Sequence, residues 1–168
     1  IPLQSKAMQA FETLMTPSFE EIDTDIPFAV EKTTIANLKT LYLILAGAAV
    51  QKFMTKLADE QEILMAAADM AVQIFAVESA VLRAEKISAR LSQARREQLA
   101  AAVRVFTFNA TEAAAGAARK TAYFIEEGDT LTMILSGIRR FARYDASGLL
   151  QAKRTLADAA TDAEKYLF

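Results

Sequence analysis

The absence of proline from residue 28 to the end of the chain is the strongest constraint on its fold, since the prolines are Pro2, Pro17 and Pro27. Proline interrupts a helix because it lacks a backbone donor and clashes with the preceding turn. The proline-free stretch is also rich in alanine, leucine and glutamate, which are strong helix formers. The sequence therefore predicts an all-α fold.

Apolar residues recur at steps of three and four in six segments, which is the spacing of an amphipathic helix. Asp59, with Glu62 behind it, is predicted to cap the third helix, and Gly128 is predicted to close the fourth in a left-handed conformation. The predicted helices span residues 3–16, 27–58, 59–88, 97–125, 129–143 and 149–165. This pattern favours an antiparallel four-helix bundle with extra short helices at its ends.

The third helix carries a wide apolar stripe. Its inner positions run from Ile63 to Ala84, and the stripe is widened by Leu64, Phe75 and Leu82. We expect so wide a stripe to pack against two neighbouring helices. In the helix before it, Gly47 either lets another helix approach closely or is a tolerated glycine without a packing role, and the sequence does not decide between the two.

Two regions are expected along the chain. Residues 1–26 read as a short helix and an acidic linker, whose acids lie in the Glu20–Asp25 segment, and residues 27–168 read as the helical bundle domain. The first residue is Ile1, and we expect the chain to be part of a longer polypeptide.

Composition excludes several functions. The chain has no histidine and no cysteine, which removes histidine-based catalytic triads and thiolate zinc sites, so no catalytic, metal-binding or cofactor-binding residue is predicted. The net charge of -2 argues against a nucleic-acid partner. The longest apolar run, Leu41 to Val50, is about half the length of a membrane span and reads as a buried helix segment.

Two groups of charged residues stand out. Glu78 lies beside an apolar face, and we expect it to reach water or a basic partner rather than a metal. The second group is a basic corner where one helix ends and the next begins. Cations at a helix C-terminus face solvent in many proteins, and the alternative is a docking surface for another domain or subunit. The candidate interface residues are Arg139, Arg140, Arg143, Lys153 and Arg154.

Six groups of segments carry a resemblance to a known family. They are Ala46–Lys52, Lys56–Leu64 with Ala68–Met70, Ala76–Arg83, Glu126–Asp129, Gly137–Phe141 and Glu164–Phe168. In this order they resemble the region after the catalytic core of bacterial acyl-CoA dehydrogenases, most closely their very-long-chain branch. The resemblance covers the chain from about Phe28 onward, and it implies that residues 1–26 follow the catalytic core with the acidic Glu20–Asp25 segment as the tether.

The resemblance implies that the parent enzyme binds FAD and oxidises fatty acyl-CoA, while this chain is its non-catalytic C-terminal domain and is inactive alone. It also implies packing against the catalytic core of the same polypeptide, homo-oligomer formation and a cytoplasmic location, with peripheral contact at the inner membrane as a further expectation. One alternative is a free-standing helical adaptor or membrane-surface interaction protein, although a near-neutral charge fits an interfacial helix poorly. A small enzyme that uses carboxylates alone, with Glu78 as its best candidate, is the third hypothesis.

Overall fold

The structure, a computed structural model, describes residues 2–16, 22–23 and 25–164. Over these residues the chain is helical and contains no strand, which confirms the all-α prediction. Residues 20, 21 and 24 of the acidic segment and residues 165–168 of the terminal block lie outside the described residues. The α-helices are α1 (Pro2–Met15), α2 (Ala29–Phe53), α3 (Gln61–Ser88), α4 (Gln93–Ile125), α5 (Gly128–Phe141) and α6 (Leu149–Ala163).

The junction between α2 and α3 is a short 3-10 helix, Met54–Asp59. Helix α2 ends where Met54 takes φ 50° and ψ -120°, a backbone conformation that an α-helix cannot continue. The predicted break is confirmed, but the predicted cap is wrong. Glu60 rather than Asp59 occupies the N-cap of α3, and no side chain caps the helix there.

The bundle is built around α4, which packs against α2, α3, α5 and α6. Helices α3 and α4 share the most extensive contact, and only the short segment 89–92 joins them, so they run antiparallel. Helix α4 presents mainly small side chains to its neighbours, and these permit close helix packing. Its fully buried alanines are Ala114, Ala118 and Ala122.

Two glycines singled out in the sequence have a structural role. A Cβ placed on Gly47 would lie 2.7 Å from the Cβ of Ala7, so this glycine lets α1 pack directly on α2. Gly128 has φ 60°, the left-handed conformation. It forms the first residue of α5 rather than the residue directly after α4.

The wide stripe of α3 packs against two neighbours, α4 and α2, which confirms the prediction, but two of the residues that widen it stay largely exposed. The inner positions, among them Met70, Val77 and Val81, are buried in the core. Phe75 and Leu82, expected to meet a second neighbour, are 72% and 56% exposed. The described part of the chain supplies no helix to cover this side of α3, which therefore faces solvent.

Candidate functional site

The five predicted interface cations lie on α5, on α6 and in the segment between them. Arg139, Arg143, Lys153 and Arg154 are exposed. Among the described residues α5 packs on α1, α2 and α4, whereas α6 packs on α4, and the two helices have no direct contact. The cations thus form two separate basic groups, and their role in an interface stays a prediction.

Arg140 differs from the other four because it is turned toward α1. Its guanidinium donates to the backbone oxygens of Thr13 at 3.0 Å and Thr16 at 3.1 Å, and it lies 4.9 Å from the centre of the Phe141 ring. A cation that binds the last carbonyls of a helix also interacts favourably with the helix dipole. Arg140 therefore joins the C-terminal end of α1 to α5.

A polar cluster fixes the segment between α5 and α6 to the rest of the bundle. Glu31, near the start of α2, is only 8% exposed and accepts a hydrogen bond of 2.5 Å from the hydroxyl of Tyr144. Burial raises the pKa of Tyr144 well above its ordinary value, and the hydrogen bond and charge of Glu31 raise it further, although Arg104 acts in the opposite direction. The buried carboxylate is thus partnered by a neutral hydroxyl.

Arg104 of α4 holds the next residues of the same segment. Its guanidinium donates to the backbone oxygen of Ser147 at 3.0 Å. Asp145 accepts from the hydroxyl of Ser147 at 2.7 Å and from its backbone N–H at 2.9 Å. These two bonds lower the pKa of Asp145, and the charges of Arg104 and Arg143 add to the effect. No pattern in the sequence indicated this cluster, because Glu31 and Tyr144 are 113 residues apart.

Two ion pairs connect α2 to α3. Glu78 accepts from Lys39 at 2.5 Å, which confirms the basic partner expected for it. Glu85 pairs with Lys32 at 2.6 Å in the same way. Among the described residues no three side chains of the metal-binding types come together. Glu78 and Glu85 thus link α3 to α2.

Two of the grooves on the described part of the chain are shallow and lie between neighbouring helices. One, of about 260 Å³, lies between α3 and α4 and is lined by Asp69, Val72, Gln73, Ala113, Gly116, Ala117 and Lys120. The other, of about 240 Å³, lies between α4 and α6 and is lined by Arg95, Gln98, Ala159, Asp162 and Ala163. Drug-sized ligands occupy pockets of roughly 300–1,000 Å³, so both grooves are small for such a ligand.

Two helical segments of the described chain, Ala29–Asp59 and Gln61–Ser88, are long and apolar enough to cross a membrane. In the most apolar 18-residue stretch of each segment, the share that is buried inside the fold is 39% for the first segment and 28% for the second. Core helices of soluble bundles meet the same criterion of length and composition, so this is weak evidence for a membrane span.

Comparison with known proteins identifies the relatives of this bundle. The family model described as "Acyl-CoA dehydrogenase, C-terminal domain" matches residues 37–140. A curated protein of Bacillus subtilis (strain 168), named "Probable acyl-CoA dehydrogenase", is 34% identical over 166 residues. That alignment covers 99% of this chain and 28% of the relative.

A solved structure has the same fold. The crystal structure of an acyl-CoA dehydrogenase complexed with FAD from Bacillus anthracis superimposes with a TM-score of 0.90 at 35% sequence identity. The match covers 99% of this chain and 28% of that protein. The chain therefore spans little more than a quarter of the length of either relative.

Proposed function

This chain belongs to the acyl-CoA dehydrogenase C-terminal domain family, and from that premise we propose that it is the non-catalytic helical module of a longer, FAD-dependent enzyme that oxidises fatty acyl-CoA. The observation that carries the proposal is the likeness of nearly the whole chain, at a TM-score of 0.90, to 28% of an acyl-CoA dehydrogenase complexed with FAD. The remaining part of such a polypeptide would contain the reaction centre.

The proposal assigns the flavin to that remaining part. The two interhelical grooves, about 260 and 240 Å³, are smaller than the roughly 300–1,000 Å³ typical of ligand pockets, and FAD is a dinucleotide. The buried Glu31 and the half-buried Glu78 and Glu85 are engaged in contacts with other parts of the bundle. No step of the reaction is therefore assigned to residues of this chain.

The module acts through packing. Its alanine-rich α4 and its ion pairs give a rigid bundle, and the exposed cations Arg139, Arg143, Lys153 and Arg154 form the contact with the catalytic part. Arginine suits such a contact because its planar guanidinium binds carboxylates in a bidentate manner. We place the protein in the cytoplasm, and peripheral contact with the inner membrane stays a prediction that flotation with anionic vesicles tests.

The experiment uses the complete reading frame that contains this chain. We expect the purified polypeptide to show flavin absorbance and to oxidise acyl-CoA, and the 168-residue chain purified alone to show neither. Two double variants reverse the charge of the exposed cations. One combines Arg139→Glu with Arg143→Glu, and the other combines Lys153→Glu with Arg154→Glu. Each should weaken assembly with the catalytic part. A complete polypeptide without flavin would contradict the proposal.

Two single variants serve as controls for charge reversal. Lys56 in the 3-10 helix and Arg96 at the start of α4 are exposed cations away from the two basic groups. Lys56→Glu and Arg96→Glu should leave assembly and activity unchanged. If they weaken assembly as strongly as the double variants, net charge rather than the proposed contact explains the effect.

A further inference from the structure

Helix α3 has a second apolar stripe on the side opposite the core. Its members follow one another at alternating steps of three and four residues and face solvent. Met65 is 67% exposed, Val72 60% and Phe75 72%. The outer stripe consists of Met65, Ala68, Val72, Phe75, Ser79 and Leu82.

This spacing is that of a seam between two helices. A heptad with apolar residues at its first and fourth positions places one face of a helix against a partner helix along its whole length. Scattered apolar residues on a surface need no explanation, but four large ones in register on one helix indicate an interaction site.

The charges beside the stripe are arranged symmetrically about Ala76. Glu62 and Asp69 precede Ala76 at intervals of seven residues, and Arg83 and Arg90 follow it at the same intervals. Within α3, which ends at Ser88, Glu62, Asp69, Ala76 and Arg83 have the same heptad position, and Arg90 follows in the turn after the helix. This position lies on the α4 side of the stripe, where Asp69 lines the groove with Gln73 of α3 and several residues of α4. One half of this edge is acidic and the other half is basic.

These four charges differ from the acids on the opposite edge. Within the described chain no ion pair includes Glu62, Asp69, Arg83 or Arg90. The acids on the α2 side, Glu78 and Glu85, are each paired with a lysine of α2. The groove next to Asp69 is lined on the α4 side by small residues, including Ala113 and Gly116, and a Cβ added to Gly116 would meet nothing within 4 Å. The edge thus has both charges without partners and space for a second helix.

We propose that the outer stripe of α3 binds the same stripe of a second copy of this chain, in an antiparallel two-fold pair. The axis passes near Ala76, so that Asp69 of each copy faces Arg83 of the other, and Glu62 lies near the end of the partner helix that precedes Arg90. A two-fold contact uses the same patch on both copies and requires it to be self-complementary, which this edge is. A parallel pair would instead place Arg83 beside Glu78 of the other copy, which is already paired with Lys39, and would leave Asp69 without a basic partner. The inference goes beyond the proposed packing role, because it needs only residues of this chain.

The test measures the oligomeric state of the complete 168-residue chain by sedimentation over a range of concentrations, with circular dichroism to verify that each variant folds. We expect a dimer. Asp69→Arg and Arg83→Asp should each weaken it by about tenfold, because each introduces two pairs of like charges. The combined variant, with both substitutions, should restore it, since every arginine again faces an acid. The matched control is Asp158→Arg on α6, which should leave the dimer unchanged.

Three results would overturn the proposal. The first is that the chain stays monomeric. The stripe would then bind another part of a longer polypeptide or a vesicle surface. The second is a dimer that neither single variant weakens, because it would use a different face. The third is a combined variant that stays as weak as the single ones, because only the antiparallel arrangement regenerates the pairs.

Discussion

Two threonines in the middle of α4 bury hydroxyl groups that have no hydrogen-bond partner among the described residues. Thr107 and Thr111 are both 0% exposed. Thr121, about three turns beyond Thr111, is nearly as buried, but its hydroxyl donates to the backbone oxygen of Ala117 at 3.1 Å. The three residues offer a comparison in which side-chain type and burial are alike and only the hydrogen bond differs.

We expect Thr107→Val and Thr111→Val each to raise the free energy of unfolding by about 1 kcal/mol, because valine has nearly the same shape and removes a buried hydroxyl that lacks a partner. Thr121→Val should lower it by about 1 kcal/mol, because that hydroxyl is bonded. Urea unfolding monitored by circular dichroism measures all three. A loss of stability in all three variants would show that the hydroxyls of Thr107 and Thr111 are satisfied in solution.

Helix α1 is attached to the bundle at two places that differ in kind. Gly47 of α2 brings the helix backbones together at Ala7, and Arg140 of α5 binds the last carbonyls of α1. The first contact depends on the absence of a side chain, while the second depends on a charge at a helix end. Because Ala7 has no flexible end that can move away, the first contact tolerates substitution poorly.

Gly47→Ala is therefore expected to destabilise the attachment of α1 by about 1–3 kcal/mol, the usual effect of overpacking. Its matched control is Gly116→Ala on α4, where an added Cβ meets nothing within 4 Å. That substitution should stabilise the fold by about 0.5–1 kcal/mol, since alanine is the better helix former. Hydrogen exchange of the amides of α1 measures the first effect and urea unfolding the second. Unchanged exchange in α1 would mean that this close approach does not exist in solution.

The element boundaries show what local sequence determines and what it does not. The end of α4 at Ile125 and the left-handed Gly128 agree with the prediction, since both depend on residues adjacent in the chain. The end of α2 at Phe53 was not predicted, because Met54 has a positive φ, which few non-glycine residues adopt. Helical spacing likewise found the apolar residues of α3. It could not separate Val77, which is buried, from Phe75, which is exposed, because a wide stripe alone does not specify how many neighbours a helix has.

The candidate site was less predictable than the fold for the same reason. Arg139 and Arg143 were identified from their place at the end of a helix, which is local information. The contact of Tyr144 with Glu31 joins residues 113 positions apart, so no pattern in the sequence connects them. Arg140 was grouped with the other cations, and only its bonds to Thr13 and Thr16 show that it serves α1. Long-range polar contacts of this kind depend on the completed bundle.

At the scale of the whole molecule, the Tyr144 cluster joins segments that are far apart in the chain. The hydroxyl of Tyr144 reaches Glu31 on α2, and Arg104 on α4 binds Ser147 of the same connecting segment. The free energy of unfolding of the entire bundle should therefore depend on the protonation state of one phenol. Since burial and Glu31 raise the pKa of Tyr144 in the folded state, folding favours the neutral form.

The stabilisation from Tyr144 should be complete below pH 10.0, the ordinary pKa of a tyrosine. It should decrease as the pH rises from that value toward the higher pKa of the folded state, because the unfolded chain loses the proton first. At neutral pH the variant Tyr144→Phe should be less stable by about 2 kcal/mol, because Glu31 remains buried without its hydrogen-bond donor. Urea unfolding of both proteins from about pH 8 to about pH 11 should show this difference becoming smaller, while lysine titration affects both alike and cancels. A difference that stays constant over this range would mean that the hydroxyl of Tyr144 titrates as it does in the unfolded chain, and that the cluster does not hold the connecting segment against α2.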